Sequence, residues 1–121
     1  NPKTKESNMK QRSRKAKGKK LQNFVREKLL KAFRHLKKND VVCVENYKPG
    51  ADIILSKVAK KLCPYSFECK NQEKMKTIYD FYKQAQKNSG KLEPVLVMKM
   101  NTREPIVVID FEHFIELIQP E

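Results

Sequence analysis

The chain has 121 residues, enough for one domain with one modest core. Lysine and arginine number 27 against 14 acids, a net charge of +13, which favours a polyanionic partner or an acidic surface and says little about fold. No run of 18 apolar residues is present, which argues against a membrane span, and the basic start lacks the apolar stretch of a signal peptide. Cys43, Cys63 and Cys69 are odd in number and have no zinc-like spacing, and His35 and His113 lie far apart. Reduced, mostly buried thiols in an intracellular protein are expected.

Residues 1–20 hold nine lysines and arginines and one acid, with almost no apolar content. Such a stretch cannot bury a core, so 1–18 is expected to be a basic, flexible arm. It is either a solvated tail or an arm that lies along phosphates; alternatively, Ser13 to Lys20 runs straight into the next helix. That helix is predicted over 19–38, because Leu21, Phe24, Val25, Leu29, Ala32, Phe33 and Leu36 recur at spacings of three and four. Its other face carries Arg26, Lys28, Lys31, Arg34, Lys37 and Lys38, either solvated or touching DNA. Asn39-Asp40 ends it.

Val41 to Val44 is β-branched and short, which predicts a buried strand. Residues 45–50 are turn-rich, and a strand with Asp52 near its start follows over 51–55. Ser56 is placed to cap a short helix, Lys57 to Leu62. After Pro64, the alternation in Tyr65 to Lys70 predicts a strand. A second long helix is predicted over 71–88, with Met75, Ile78, Tyr79, Tyr82 and Ala85 as its apolar stripe and Asn88-Ser89-Gly90 as its stop. Residues 94–100 and 106–109 read as strands joined by a turn at 101–104, apolar on both faces as central, helix-covered strands are. Asp110 then caps a last helix, Phe111 to Ile118, with Phe111, Phe114, Ile115 and Ile118 inward. The order predicts an α/β sandwich: a mixed sheet of about five strands flanked by helices, in a single domain over 19–121.

The chemistry concentrates in Tyr65-Ser66-Phe67-Glu68-Cys69-Lys70. On a strand, Tyr65, Phe67 and Cys69 share the buried face and Ser66, Glu68 and Lys70 the other. Glu68 and Lys70 then lie roughly 6–7 Å apart along the strand. If the strand of Asp52 pairs with this one, Asp52 and Glu68 can converge on one hard cation. The plainer alternative is a structural salt bridge between Glu68 and Lys70.

Gly50-Ala51-Asp52, followed later by Glu68-Cys69-Lys70, resembles the active-site signature of the PD-(D/E)xK nuclease superfamily. The string from Gly50 to Glu73 is similar to its phage-encoded Holliday junction resolvase-like branch, and the resemblance covers about residues 14 to 118. The proline that precedes the aspartate in the signature stands here at Pro49, three residues earlier. The resemblance implies a restriction-endonuclease-like αβββαβ core and Mg²⁺ or Mn²⁺ held by Asp52, Glu68 and the carbonyl of Cys69. It implies that Lys70 orients the attacking water. Gln22 stands where the first helix of relatives supplies a Glu, with Glu27 as the alternative acid. DNA contacts are expected from Arg14, Lys15, Lys17, Lys19, Lys20, Lys48 and Gln72, and Gln84 is a further polar candidate. The implied enzyme is a cytoplasmic homodimer, a phage protein in a bacterial host, that cuts four-way DNA junctions. Phe81 is the candidate interface residue. A nicking or other nuclease of this superfamily, or a non-catalytic basic nucleic-acid-binding domain, are the alternatives.

Overall fold

The computed structural model describes the backbone of residues 2–44 and 51–121, and within the first helix the side chains of 10, 12 and 16–32. In chain order the elements are α1 (Pro2–Ala32), a short 3-10 turn (Lys38–Asp40), β1 (Val41–Cys43), β2 (Ile53–Leu55), α2 (Lys57–Leu62), α3 (Lys76–Asn88), β3 (Leu96–Met98), β4 (Ile106–Val108) and α4 (Phe111–Ile118). The fold is α/β. Among the described residues, the strands pair as two separate antiparallel sheets, β1 with β2 and β3 with β4, in place of the mixed five-stranded sheet that the sequence suggested. The chain divides into two compact units, Asn1–Gln72 with Ile118–Glu121, and Glu73–Leu117.

The stretch read as a basic arm and the helix expected over 19–38 are one helix. Proline suits a first helical position, and the lysines, arginines and glutamines that follow it are good helix formers. The helix ends at Ala32, short of 38. Phe33 N–H still reaches the Leu29 carbonyl at 2.9 Å, but Leu36 N–H turns to the Phe33 carbonyl at 3.0 Å. Phe33 and Leu36 are thus buried by a tight turn rather than by further helix.

α1 packs on β1. The register pairs Val41 with Leu55 and Cys43 with Ile53. Val41, Ile53 and Leu55 face the core with Val25, Leu29, Phe33, Leu36, Ala59 and Cys63. Burying each large aliphatic side chain contributes about 1.5–3 kcal/mol. Val42 and Ile54 point the other way and are exposed, so β1 is half-buried rather than buried throughout. Arg26, read as part of a basic face either solvated or touching DNA, bends inward. Its Nε donates to the Val41 carbonyl at 2.5 Å and its Nη2 to the Lys38 carbonyl at 2.7 Å.

Asp40 ties the turn to α2. Its carboxylate accepts from Lys37 N–H at 2.7 Å and from the Ser56 hydroxyl at 2.7 Å, and Ser56 Oγ caps α2 by accepting from Ala59 N–H at 3.1 Å. The bond from Lys37 N–H, then that from Ser56, holds the Asp40 carboxyl below the usual value of 3.8.

The segment from Tyr65 to Lys70 is not a ladder strand. A backbone bond beside β2 runs from Asp52 N–H to the Phe67 carbonyl at 3.1 Å. Two of its donors go elsewhere than to a ladder: Tyr65 N–H folds back on the Cys63 carbonyl across Pro64, and Cys69 N–H goes to the Asp52 side chain. Tyr65 is exposed, against the buried position expected for it. From residue 66 onward the alternation holds, with Phe67 and Cys69 half-buried and Ser66, Glu68 and Lys70 exposed.

In the second unit α3 begins at Lys76, later than the 71 expected, and stops at Ser89-Gly90, where Gly90 adopts a left-handed φ of 58°. The β3–β4 register pairs Leu96 with Val108, Val97 with Val107 and Met98 with Ile106. These are not covered central strands: Val97 and Val107 are 65% and 62% exposed. Their turn closes from Arg103 N–H to the Met100 carbonyl at 3.1 Å and holds Thr102 at a φ of 67°. Asp110 caps α4, accepting from His113 N–H at 3.1 Å, and Ile115 is buried.

Candidate functional site

Asp52 sits between two extended neighbours. Its carbonyl accepts from Val44 N–H at 3.0 Å, and its N–H donates to the Phe67 carbonyl at 3.1 Å. Its carboxylate Oδ2 accepts from the amide of Cys69 at 2.5 Å. A carboxylate bonded to a backbone amide is a strong, charge-assisted contact. The chain thereby joins the two halves of the sequence motif, because Cys69 lies between Glu68 and Lys70.

Glu68 and Lys70 form an ion pair at 3.4 Å. Both side chains are well exposed, and such a pair contributes little to stability. Cys69 between them is half-buried. Burial first, then the charges of Asp52, Cys43 and Glu68, push its thiol up to about 11. The thiol is therefore protonated at neutral pH and is no nucleophile.

A second group comes from α1. Asn23 Oδ1 accepts from the Cys43 thiol at 3.5 Å. Burial pushes the Cys43 thiol up, while the charges of Arg26 and Lys19 pull it back. Lys19, Gln22, Asn23 and Arg26 are spaced three and four apart and so share one helix face. Gln22 is the one buried polar side chain among the described residues, at 9% exposure. Glu27 is exposed and lies about 140° round the helix from Gln22, off this face.

Asn23, Arg26 and Cys43 were not singled out for the site from sequence. The signal lay in the spacing: Asn23 is one turn beyond Lys19, and Arg26 one turn beyond Gln22. Of the expected DNA contacts, Lys17, Lys19, Lys20 and Gln72 are exposed. Arg14 and Lys15 lie on α1 with side chains outside the described set, and Lys48 lies outside the described residues. Gln84 is exposed on α3 in the second unit.

Among the described residues, no group of three or more His, Cys, Asp or Glu side chains is arranged to hold a metal ion. The motif does hold oxygen donors of the kind hard cations take, in the carboxylates of Asp52 and Glu68 and the main-chain carbonyl of Cys69. One Asp52 oxygen is held by the Cys69 amide, and the Glu68 carboxylate is in solvent beside Lys70. Among the described residues, no helix is long and apolar enough to cross a membrane. Compared with protein-family models, curated proteins and solved structures, the chain matches none of them.

Proposed function

We propose that the chain is a metal-dependent DNA endonuclease of the PD-(D/E)xK type, with four-way junctions as its preferred substrate. The observation that carries the reading is the hydrogen bond from the Cys69 amide to the Asp52 carboxylate, which ties together two acids and a lysine otherwise distant in sequence. The bond from Asp52 N–H to the Phe67 carbonyl, which lays the 65–70 segment alongside Asp52, supports the same pairing of the two halves of the motif.

Asp52, Glu68 and the main-chain oxygen of Cys69 would hold Mg²⁺ or Mn²⁺, which when bound neutralises phosphate charge and acidifies a water. Asp52 is already fixed by three backbone bonds, so it needs little rearrangement on binding DNA. Lys70 exchanges its weak solvent pair with Glu68 for the scissile phosphate and stabilises the charge that builds there. Gln22 supports the site from α1 by a neutral oxygen. Lys17, Lys19, Lys20 and Gln72, with Arg14, Lys15 and Lys48, supply phosphate contacts. Two opposed cuts in one junction need two sites, so the working form is a C2 homodimer, for which the exposed Phe81 on α3 is the interface candidate. The setting is the cytoplasm of a phage-infected bacterium.

The test is incubation with Mg²⁺ and labelled linear duplex, single strand, flap and four-way junction. Asp52→Asn is expected to abolish cleavage and to leave DNA affinity within about twofold, because phosphate contacts elsewhere carry binding. Wild-type nicking by both Asp52→Asn and Lys70→Ala sinks the assignment. The exposure of the Glu68–Lys70 pair favours one other reading, a non-catalytic basic binding domain, which predicts junction binding with no cleavage in any metal.

A further inference from the structure

We infer that the N-terminal half of α1 is a rail for a duplex DNA arm beside the cut, and that an arm of about eight base pairs engages all of it. The inference takes DNA from the endonuclease reading and deepens it by naming the part of the substrate that is held.

Continuity comes first. α1 is one helix from Pro2 to Ala32, so residues 2–20 continue without a break from the turns around Lys19 and Asn23, next to Cys43 and β1. At about 1.5 Å per residue this half runs roughly 28 Å. Duplex DNA offers one phosphate per about 3.4 Å on each strand, so the rail spans about eight base pairs.

Charge comes second. That half carries nine lysines and arginines and one acid, and Lys10, Arg12, Lys19 and Lys20 are exposed. Met9 and Ala16 are the only apolar side chains between Lys3 and Lys20. A helix that beds into a lipid surface needs an apolar face, and this one has none. A continuous helix rich in positive charge instead matches a stiff polyanion; duplex DNA stays straight over far more than 28 Å, and a single strand does not.

Self-repulsion comes third. Lys10 and Arg14, and Lys15 and Lys19, are four positions apart, and like charges at that spacing oppose a helix. Phosphates along the rail remove that opposition, so bound duplex tightens the helix.

The experiment uses the full chain without divalent metal, so that binding is read apart from cleavage. Fluorescent hairpin duplexes of about 6, 10 and 16 base pairs and a 16-nucleotide single strand are titrated between about 50 and 200 mM salt, where each phosphate contact contributes about 0.9 to the log–log slope. The variant combines Lys3→Gln, Lys5→Gln, Lys10→Gln, Arg12→Gln, Arg14→Gln and Lys15→Gln, and a control replaces the same lysines with arginine. The expected result is a slope flatter by about 3 or more on the two longer duplexes and by about two thirds as much on the shortest, which reaches about four of the six substituted positions, with the arginine control unchanged. Amide exchange over 2–18 slows when the longest duplex is added. An equal slope for wild type and variant, a change independent of duplex length, an equal change on the single strand, or a flattened slope in the arginine control each overturns the inference. Cutting in the Mg²⁺ assay above with an unchanged slope here removes the rail alone; rail-like binding here with no cutting in that assay removes the nuclease reading alone.

Discussion

The two units spend their apolar residues differently. The first buries Val25, Leu29, Phe33, Leu36, Val41, Ile53, Leu55, Ala59 and Cys63, whereas the second buries Ile115 alone among the described apolar residues. The second instead exposes Tyr79, Leu92, Val95, Val97, Ile106, Val107 and Leu117. Both stretches have strongly apolar strands, so composition is not the cause. In the first, a long helix covers one face of the β1–β2 pair. In the second, a two-residue-wide ribbon has little depth, and the outward side chains of β3 and β4 stay in water. A unit of this size with so thin a core is marginal on its own. The candidate site is built on the first.

The contrast breaks most readily in the core. Leu29 is 1% exposed, and Leu29→Ala is expected to cost about 2–5 kcal/mol, whereas Val97→Thr stays within about 0.5 kcal/mol. Urea unfolding of both variants checks this; equal losses would mean that the face of Val97 is covered in solution. A smaller effect, opposite in sign, belongs to the second unit. Thr102 is β-branched and left-handed, a conformation that costs roughly 1–2 kcal/mol, so Thr102→Gly should raise stability by about 1 kcal/mol after the entropy that glycine adds to the unfolded chain. A lower thermal midpoint for that variant would reject the turn geometry.

The smallest effect concerns Asp40, whose carboxyl is held below its usual value in the folded chain by Lys37 N–H and Ser56. A lowered folded value means that its contribution is complete above about 3.8 and is lost as pH falls through the lower, folded value. Unfolding curves recorded from pH 6 to pH 2 should therefore fall more steeply for wild type than for Asp40→Asn. Parallel curves would show that the turn and the α2 cap do not depend on that charge.

Features made by neighbours in sequence were the legible ones. Ser56, Asp110 and Gly90 act on backbone within four residues, so their residue types announce them. Features made by distant partners were not. Nothing in Tyr65 to Lys70 says that the Cys69 amide will turn to Asp52, and a strand was the reasonable reading of its alternation. β3 and β4 looked central because they are apolar on both faces, but burial depends on what lies opposite. The arm over 1–18 was read from its missing apolar residues, although lysine, arginine and glutamine favour a helix. Asp52 and Glu68 to Lys70 stood out as a motif, whereas Asn23, Arg26 and Cys43 enter through contacts at least twelve residues apart.

The clasp between Asp52 and Cys69 also makes α2 an excursion whose two ends are already joined. Closing such an excursion depends only weakly on its length, about 0.6 kcal/mol for each doubling. Lys60, Lys61 and Leu62 near its far end are exposed. A peptide tag or reporter spliced there should leave the acids and Lys70 in register, which makes this the place to lengthen the molecule without touching its chemistry.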